Sequence, residues 1–172
     1  MKIRIFPISI IFLFIAIFIV FLKGLKNPNI YTPTTDVKKN IPLLNFELFD
    51  SNKKINSNEI FVDDEFYLMN IWSSWCAPCR DEHVFLIKLS KEKNLKLVGL
   101  NYKDNYINAK NFLDELNNPY EIIITDKDGL IAIEWGAYGV PETFLIHKKK
   151  IIKKIIGPLN IDLVLEIKEL VK

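Results

Sequence analysis

The chain has 172 residues, about one ordinary domain, and its 49% apolar and 12% aromatic content excludes a disordered chain. Its two cysteines exclude a small fold stapled by several disulfides. Formal charge is +2, but residues 1–26 hold four basic groups (Lys2, Arg4, Lys23, Lys26) and no acid; the other 19 basic and 21 acidic residues leave 27–172 slightly acidic, which excludes a nucleic-acid-binding field.

Ile5 to Leu22 is 18 residues without a charge. At about 1.5 Å per residue it spans most of a hydrocarbon core about 30 Å thick. The run is longer than the about 7–15 residues of a cleavable signal, and no small-x-small site follows it. It reads as an uncleaved signal anchor, residues 1–26 forming a cytoplasmic tip and transmembrane helix. Basic residues on both flanks give only a slight bias toward a cytoplasmic N-terminus, which would leave the C-terminal part outside the cytoplasm. Asn27 to Asn40, with Pro28 and Pro33 and no apolar period, reads as a linker. Residues 41–172 are the domain.

Within that domain, Ile41 to Phe49 alternates enough for a first strand. Ser57 is placed to cap a helical turn through Phe61. Phe66 to Trp72 is an apolar run of strand length, suited to a strand covered on both faces. Cys76 or Ala77 to about Lys93 reads as a helix with Phe85, Leu86 and Leu89 inward. Leu95 to Tyr102 is the next buried strand. Asn105 to Asn117 is a helix with Ile107, Ala109, Phe112, Leu113 and Leu116 as its apolar set, ended by Asn118-Pro119. Glu121 to Thr125 is a short strand, Asp126 to Gly129 a turn, and Leu130 to Trp135 one or two helical turns. Glu142 to His147 and Ile151 to Ile156 form a hairpin through Lys148-Lys149-Lys150. Asn160 caps a last helix with Ile161, Val164, Leu165 and Val171 inward. This order predicts an α/β sandwich around a mixed central sheet. The lysines of 148–154 suit a terminal hairpin that must resist edge-to-edge pairing.

Both cysteines lie in Trp75-Cys76-Ala77-Pro78-Cys79, between a buried strand and a helix. At a helix start, unpaired N–H groups and the positive dipole end favour a thiolate. Pro78 fits the first turn, where its missing N–H costs nothing. Trp75 is placed to shield one side of the sulfur pair. Thiol–disulfide exchange is the chemistry this spacing serves, with Cys76 attacking a substrate disulfide and Cys79 resolving the mixed disulfide. A structural disulfide closing so short a loop removes little chain entropy. A structural zinc site needs four ligands, and only His83 and His147 remain, so no metal or other cofactor is expected.

The motif resembles the thioredoxin superfamily. With Arg80-Asp81-Glu82-His83, Val98 to Asp104, Asn118-Pro119-Tyr120 and Gly136 to Ile146, it resembles the DsbE/CcmG family of membrane-anchored thiol:disulfide interchange proteins of cytochrome c maturation. The resemblance implies a thioredoxin fold with a central insertion over residues 41–172, in the periplasm and tied to the bacterial inner membrane by one helix. It implies a cis Val140–Pro141 bond in a loop that faces the cysteines and pairs with the substrate backbone. It places Glu82 and Glu142 among the acids, and Tyr138 as an aromatic residue, around the active site. It implies apocytochrome c, or a maturation protein with a cysteine pair, as substrate, and a membrane reductant of the DsbD or CcdA type.

Physically, Glu82 opposes a thiolate while Arg80 and the helix dipole favour it. Glu82 is either such a modulator or a solvated first-turn acid; Glu142, next to the proline of the cis bond, reads as a site modulator. His83 reads as packing or surface. Asn70 stands where thioredoxins carry a buried acid, which leaves Glu82 or water to handle the proton. The alternatives are a general periplasmic disulfide reductase, a DsbA-like oxidant, or a Sco-like copper module, whose cysteine spacing differs.

Overall fold

The computed structural model describes residues 5–26, 39–51, 53–62 and 64–172. The basic flank at Lys2 and Arg4 and the linker over 27–38 lie outside the described residues. Two compact units divide between Thr34 and Thr35. In the first, α1 (Ile5–Lys26) is a helix of 22 residues. Its side chains are described over 10–23, about 21 Å of rise against a hydrocarbon core of about 30 Å. Among the described residues no helix is long and apolar enough to cross a membrane.

The second unit runs β1 (Asn45–Leu48), β2 (Lys54–Asn56), α2 (Ser57–Ile60), β3 (Phe66–Trp72), α3 (Ala77–Leu89), β4 (Leu95–Tyr102), α4 (Tyr106–Leu116), β5 (Ile122–Asp126), α5 (Leu130–Glu134), β6 (Glu142–His147), β7 (Lys150–Ile156) and α6 (Ile161–Leu170). Seven strands form one mixed sheet in the order β2-β1-β5-β4-β3-β6-β7. β3 lies parallel to β4 and antiparallel to β6, and β4 is parallel to β5. The predicted α/β sandwich is therefore present.

The strand period of two separates the core into two layers. Leu68 and Trp72 of β3 join Leu97, Leu145 and the inward residues of α3, α4 and α6. Tyr67, Met69 and Ile71 join Val98, Leu100, Phe144, Ile146 and the α2 and α5 side. Asn70 shares the parity of Leu68 and Trp72, so its amide points toward α3. Burying a side chain such as Leu86 or Leu89 contributes roughly 1.5–3 kcal/mol.

Several elements differ locally from the pattern predicted above. The cap of α2 is Asn56, whose side chain accepts from Asn58 and Glu59 N–H while Glu59 returns a bond to Asn56 N–H. Ser57 is buried instead, its hydroxyl bonded to Pro42 O at 2.7 Å and Leu44 N at 2.9 Å. β1 is shorter than expected, and β2 was not expected, because only Ile55 of its three residues is apolar. α3 stops at Leu89: the Ser90 N–H closes the last helical bond to Leu86 O, and the Ser90 hydroxyl donates to Ile87 O, one of the carbonyls a helix end leaves over. Ile107, Ile161 and Leu165 are exposed; the buried stripe of the last helix is Val164, Ile167 and Val171. The last two residues of the expected linker already belong to the sheet: Lys39 O accepts from Ile151 N, and Asn40 bridges Lys150.

Candidate active site

β3 ends at Trp72, and four residues later Cys76 caps α3 with extended backbone (φ −91°, ψ 107°). Its Sγ accepts from Cys79 N at 3.2 Å, and the two sulfurs are joined in a disulfide. Ala77 and Pro78 open the helix, where no intrahelical N–H bond is lost to the proline. Both cysteines are buried in this oxidised form, Cys76 at 5% exposure and Cys79 at 1%.

The approach to the motif is pinned by the end of β4. Ser73 Oγ donates to Tyr102 O at 2.5 Å. Asp104 accepts from Ser74 N at 2.5 Å, Ser74 Oγ at 2.7 Å, Asn101 Nδ2 at 3.0 Å and Asn105 N at 2.8 Å. Trp75 is 58% exposed, and its indole N–H donates to Lys103 O at 3.1 Å. Asp104 lies in a block that carries the family resemblance, and its bonds to Ser74 join segments 30 residues apart that no spacing rule connects.

Glu82 is not a solvated acid. It is buried one turn behind Cys79, its Oε1 accepting from Asn70 Nδ2 at 2.8 Å and its Oε2 from Leu159 N at 2.7 Å. Burial pushes its pKa up to about 7, against the opposing pull of the Leu159 and Asn70 bonds. Asn70 also donates to Thr143 Oγ1 at 2.9 Å and accepts from Tyr120 OH at 2.8 Å. His83 is buried, donates from Nε2 to Asn117 O at 2.7 Å, and is held below the ordinary histidine range by burial.

Two expected modulators are committed elsewhere. Arg80 pairs with Glu115 at 2.6 Å and lies over the Phe112 ring, so the guanidinium that was to favour the thiolate is already partly neutralised. Glu142 is buried and structural. Its Oε1 accepts from Tyr138 N at 2.6 Å and Gly139 N at 3.0 Å, and its Oε2 lies 3.0 Å from the Lys154 ammonium. It therefore holds the loop in front of Pro141 rather than offering a free charge. Val140–Pro141 is cis, Pro141 O accepts from Gly157 N at 3.0 Å, and Val140 is half-buried. Tyr138 is 57% exposed, with Lys154 Nζ 4.3 Å from its ring centroid. Among the described residues, no three His, Cys, Asp or Glu side chains are grouped to hold a metal.

The Redoxin family matches residues 36–167. The thiol:disulfide interchange protein DsbE of Tatumella citrea is 40% identical over 127 residues, covering 73% of this chain and 68% of its own. DsbE of Haemophilus influenzae is 38% identical over 149 residues, covering 81% and 79%. This chain belongs to the DsbE family of the thioredoxin superfamily. A DsbF homologue from Corynebacterium diphtheriae has the same fold, with a TM-score of 0.68 over 83% of this chain and 95% of its own at 20% identity.

As a DsbE-family protein, the chain is a thiol–disulfide oxidoreductase with a thioredoxin-like α/β fold. Its geometry suits that activity. A reduced Cys76 at the cap position would face the Cys79 N–H and the positive end of a 13-residue helix, both of which favour the thiolate. The buried Glu82, with a pKa near neutrality, can exist in either protonation state at working pH, as a proton exchanger needs.

Proposed function

We propose that this protein reduces a disulfide of apocytochrome c, or of a partner in haem attachment, from the outer face of a bacterial inner membrane. The observation that carries the reading is the Cys76–Cys79 pair at the head of α3 with the buried Glu82 one turn behind it. The Cys76 thiolate attacks one sulfur of the substrate disulfide. That S–S bond breaks, a mixed disulfide forms, and the other substrate sulfur leaves as a thiolate that takes up a proton. Cys79 passes its proton toward Glu82 and attacks Cys76 Sγ, releasing the second substrate sulfur. Two electrons have then moved from the cysteine pair to the substrate, and the protein is left as the disulfide.

A membrane reductant of the DsbD or CcdA type returns those electrons. The cis-Pro loop at Val140–Pro141 is the platform for the substrate backbone, with Trp75 and Tyr138 exposed as apolar flanks. The uncharged run Ile5–Leu22 supports a single-pass anchor with the domain in the periplasm.

The test is equilibration with glutathione, followed by reaction with an oxidised Cys-x-x-Cys-His peptide. A potential well below the about −120 mV of a strong oxidant, toward the about −270 mV of thioredoxin, is expected. A value near the oxidant end overturns the reading in favour of a DsbA-like enzyme. Equal rates on the peptide and on insulin would favour a general reductase. Cys79→Ser is expected to trap the Cys76–peptide mixed disulfide, visible by mass spectrometry.

A further inference from the structure

Asn70 is fully buried, and its amide is used at three points. Oδ1 accepts from Tyr120 OH, while Nδ2 donates to both Glu82 Oε1 and Thr143 Oγ1. A primary amide is nearly symmetric in shape, so its partners decide which end faces which group. Turned end for end, the amide would set its oxygen against the Glu82 oxygen. Two acceptors repel when Glu82 is ionised, and fit only when Glu82 carries the proton between them.

The Tyr120 hydroxyl breaks the tie. Its proton needs an acceptor in a buried setting, and it finds Asn70 Oδ1. In the turned amide that proton would face an NH₂ group and be stranded, which costs more than an ordinary lost bond. We propose that Tyr120 is a positioning residue whose hydroxyl fixes the Asn70 amide with Nδ2 toward Glu82. This rests on the reading of Glu82 as the proton exchanger and deepens it.

Three further observations support it. Burial holds the Tyr120 pKa well above its ordinary value, so the phenol keeps its proton and stays a donor across working pH. The ring is clamped by stacking 5.7 Å from Trp72, and Gly99 leaves room for it: a Cβ there would lie 2.9 Å from the Tyr120 ring. The Tyr120 N–H is tied to Asn118 Oδ1 at 2.9 Å.

The other titratable groups around Glu82 each have a partner of their own. On its own helix, Cys79 is in the disulfide, His83 turns to Asn117 O, and Arg80 is paired with Glu115. From β6, Thr143 contributes a hydroxyl, and its neighbour Glu142 is held by Tyr138 N, Gly139 N and Lys154. From the segment before α6, Leu159 offers a backbone N–H.

The experiment is a ¹³C-carboxyl titration of Glu82 in the full chain, purified in detergent in the oxidised form, with the resonance assigned by Glu82→Gln. Tyr120→Phe keeps the ring and removes the hydroxyl. The expected result is a midpoint raised by roughly one pH unit. In an Asn70→Leu background, the same substitution is expected to add no further shift, because its effect passes through the amide. An unchanged midpoint in Tyr120→Phe overturns the proposal, and so does a full shift in the Asn70→Leu background.

The pH profile of resolution of a Cys76–glutathione mixed disulfide separates this from the reading beneath it. If Glu82→Gln leaves that profile unchanged while Tyr120→Phe moves the carboxyl midpoint, the positioning stands and the role of Glu82 in exchange falls. If Glu82→Gln flattens the profile while Tyr120→Phe moves nothing, the positioning falls.

Discussion

A buried carboxyl whose pKa lies above that of the unfolded chain binds its proton more tightly in the folded state. Between about pH 4.5 and about 7 the folded protein therefore holds more proton at Glu82 than the unfolded chain does, and stability falls as pH rises through that window. The full effect is about 3 kcal/mol, present below the window and gone above it. His83 works in the opposite sense. Its pKa is lowered by burial, so stability is lost as pH falls below about 6.5. Glu82→Gln removes the first effect and leaves the second. Urea denaturation at several pH values, with the disulfide intact, is expected to show the wild type losing ground relative to Glu82→Gln between pH 4.5 and 7. Parallel profiles for the two proteins would contradict the raised pKa.

The elements that hold the site are tied together by side chains far apart in the chain. Lys154 of β7 reaches across to Glu142 and to Gly136 O at 2.7 Å, with the Tyr138 ring against it, so one cation organises the approach to the cis-Pro loop. Replacing it by methionine leaves a buried carboxylate without its cation, which costs about 3–5 kcal/mol. Lys154→Met is therefore expected to lower the urea midpoint and raise the KM for a disulfide peptide more than it lowers kcat. A change in kcat alone would place Lys154 outside loop positioning. Gly99→Ala is a second test at this scale: its Cβ would meet Trp72 Nε1 and the Tyr120 ring at 2.9 Å, and overpacking of this kind costs about 1–3 kcal/mol. These ties mark the limit of what sequence carries. β3 and β4 were legible to the residue because a strand buried on both faces is a mostly apolar run, interrupted here only by Asn70 in β3 and by Lys96, Gly99 and Asn101 in β4. The Cys-x-x-Cys pair was legible because its chemistry is local. Arg80–Glu115, Glu142–Lys154, Asn70–Tyr120 and Glu82–Leu159 join separate elements, and no spacing rule could have revealed them. Asn56 was missed for Ser57 because both are good caps, and tertiary contacts with Pro42 and Leu44 claimed the serine.

At the scale of the whole molecule, every bond described around the disulfide is made within the second unit, between Asn70 and Leu159. The first unit supplies none of them. A fragment beginning at Lys39 is therefore expected to keep the glutathione equilibrium of the full chain; the proposed anchor predicts in addition that the full chain, and not the fragment, sediments with membranes. The starting residue matters, because the chain is already structural at that point. Lys39 O and Ile41 N pair with the β6–β7 hairpin, Ile41 is buried, and Pro42 O and Leu44 N hold the Ser57 hydroxyl. Starting instead at Asn45 removes a buried isoleucine, roughly 1.5–3 kcal/mol. It also removes several hydrogen bonds at about 1 kcal/mol each and uncovers the edge of β7. That shorter fragment is expected to unfold at lower urea and to aggregate on heating, yet to give the same cysteine equilibrium while folded, since the site lies at the other end of β3. A shifted equilibrium in the Lys39 fragment would mean that residues before 39 act on the cysteine pair. A shift in the Asn45 fragment alone would mean that the first strand's approach, and not α3 and the cis-Pro loop by themselves, sets the potential.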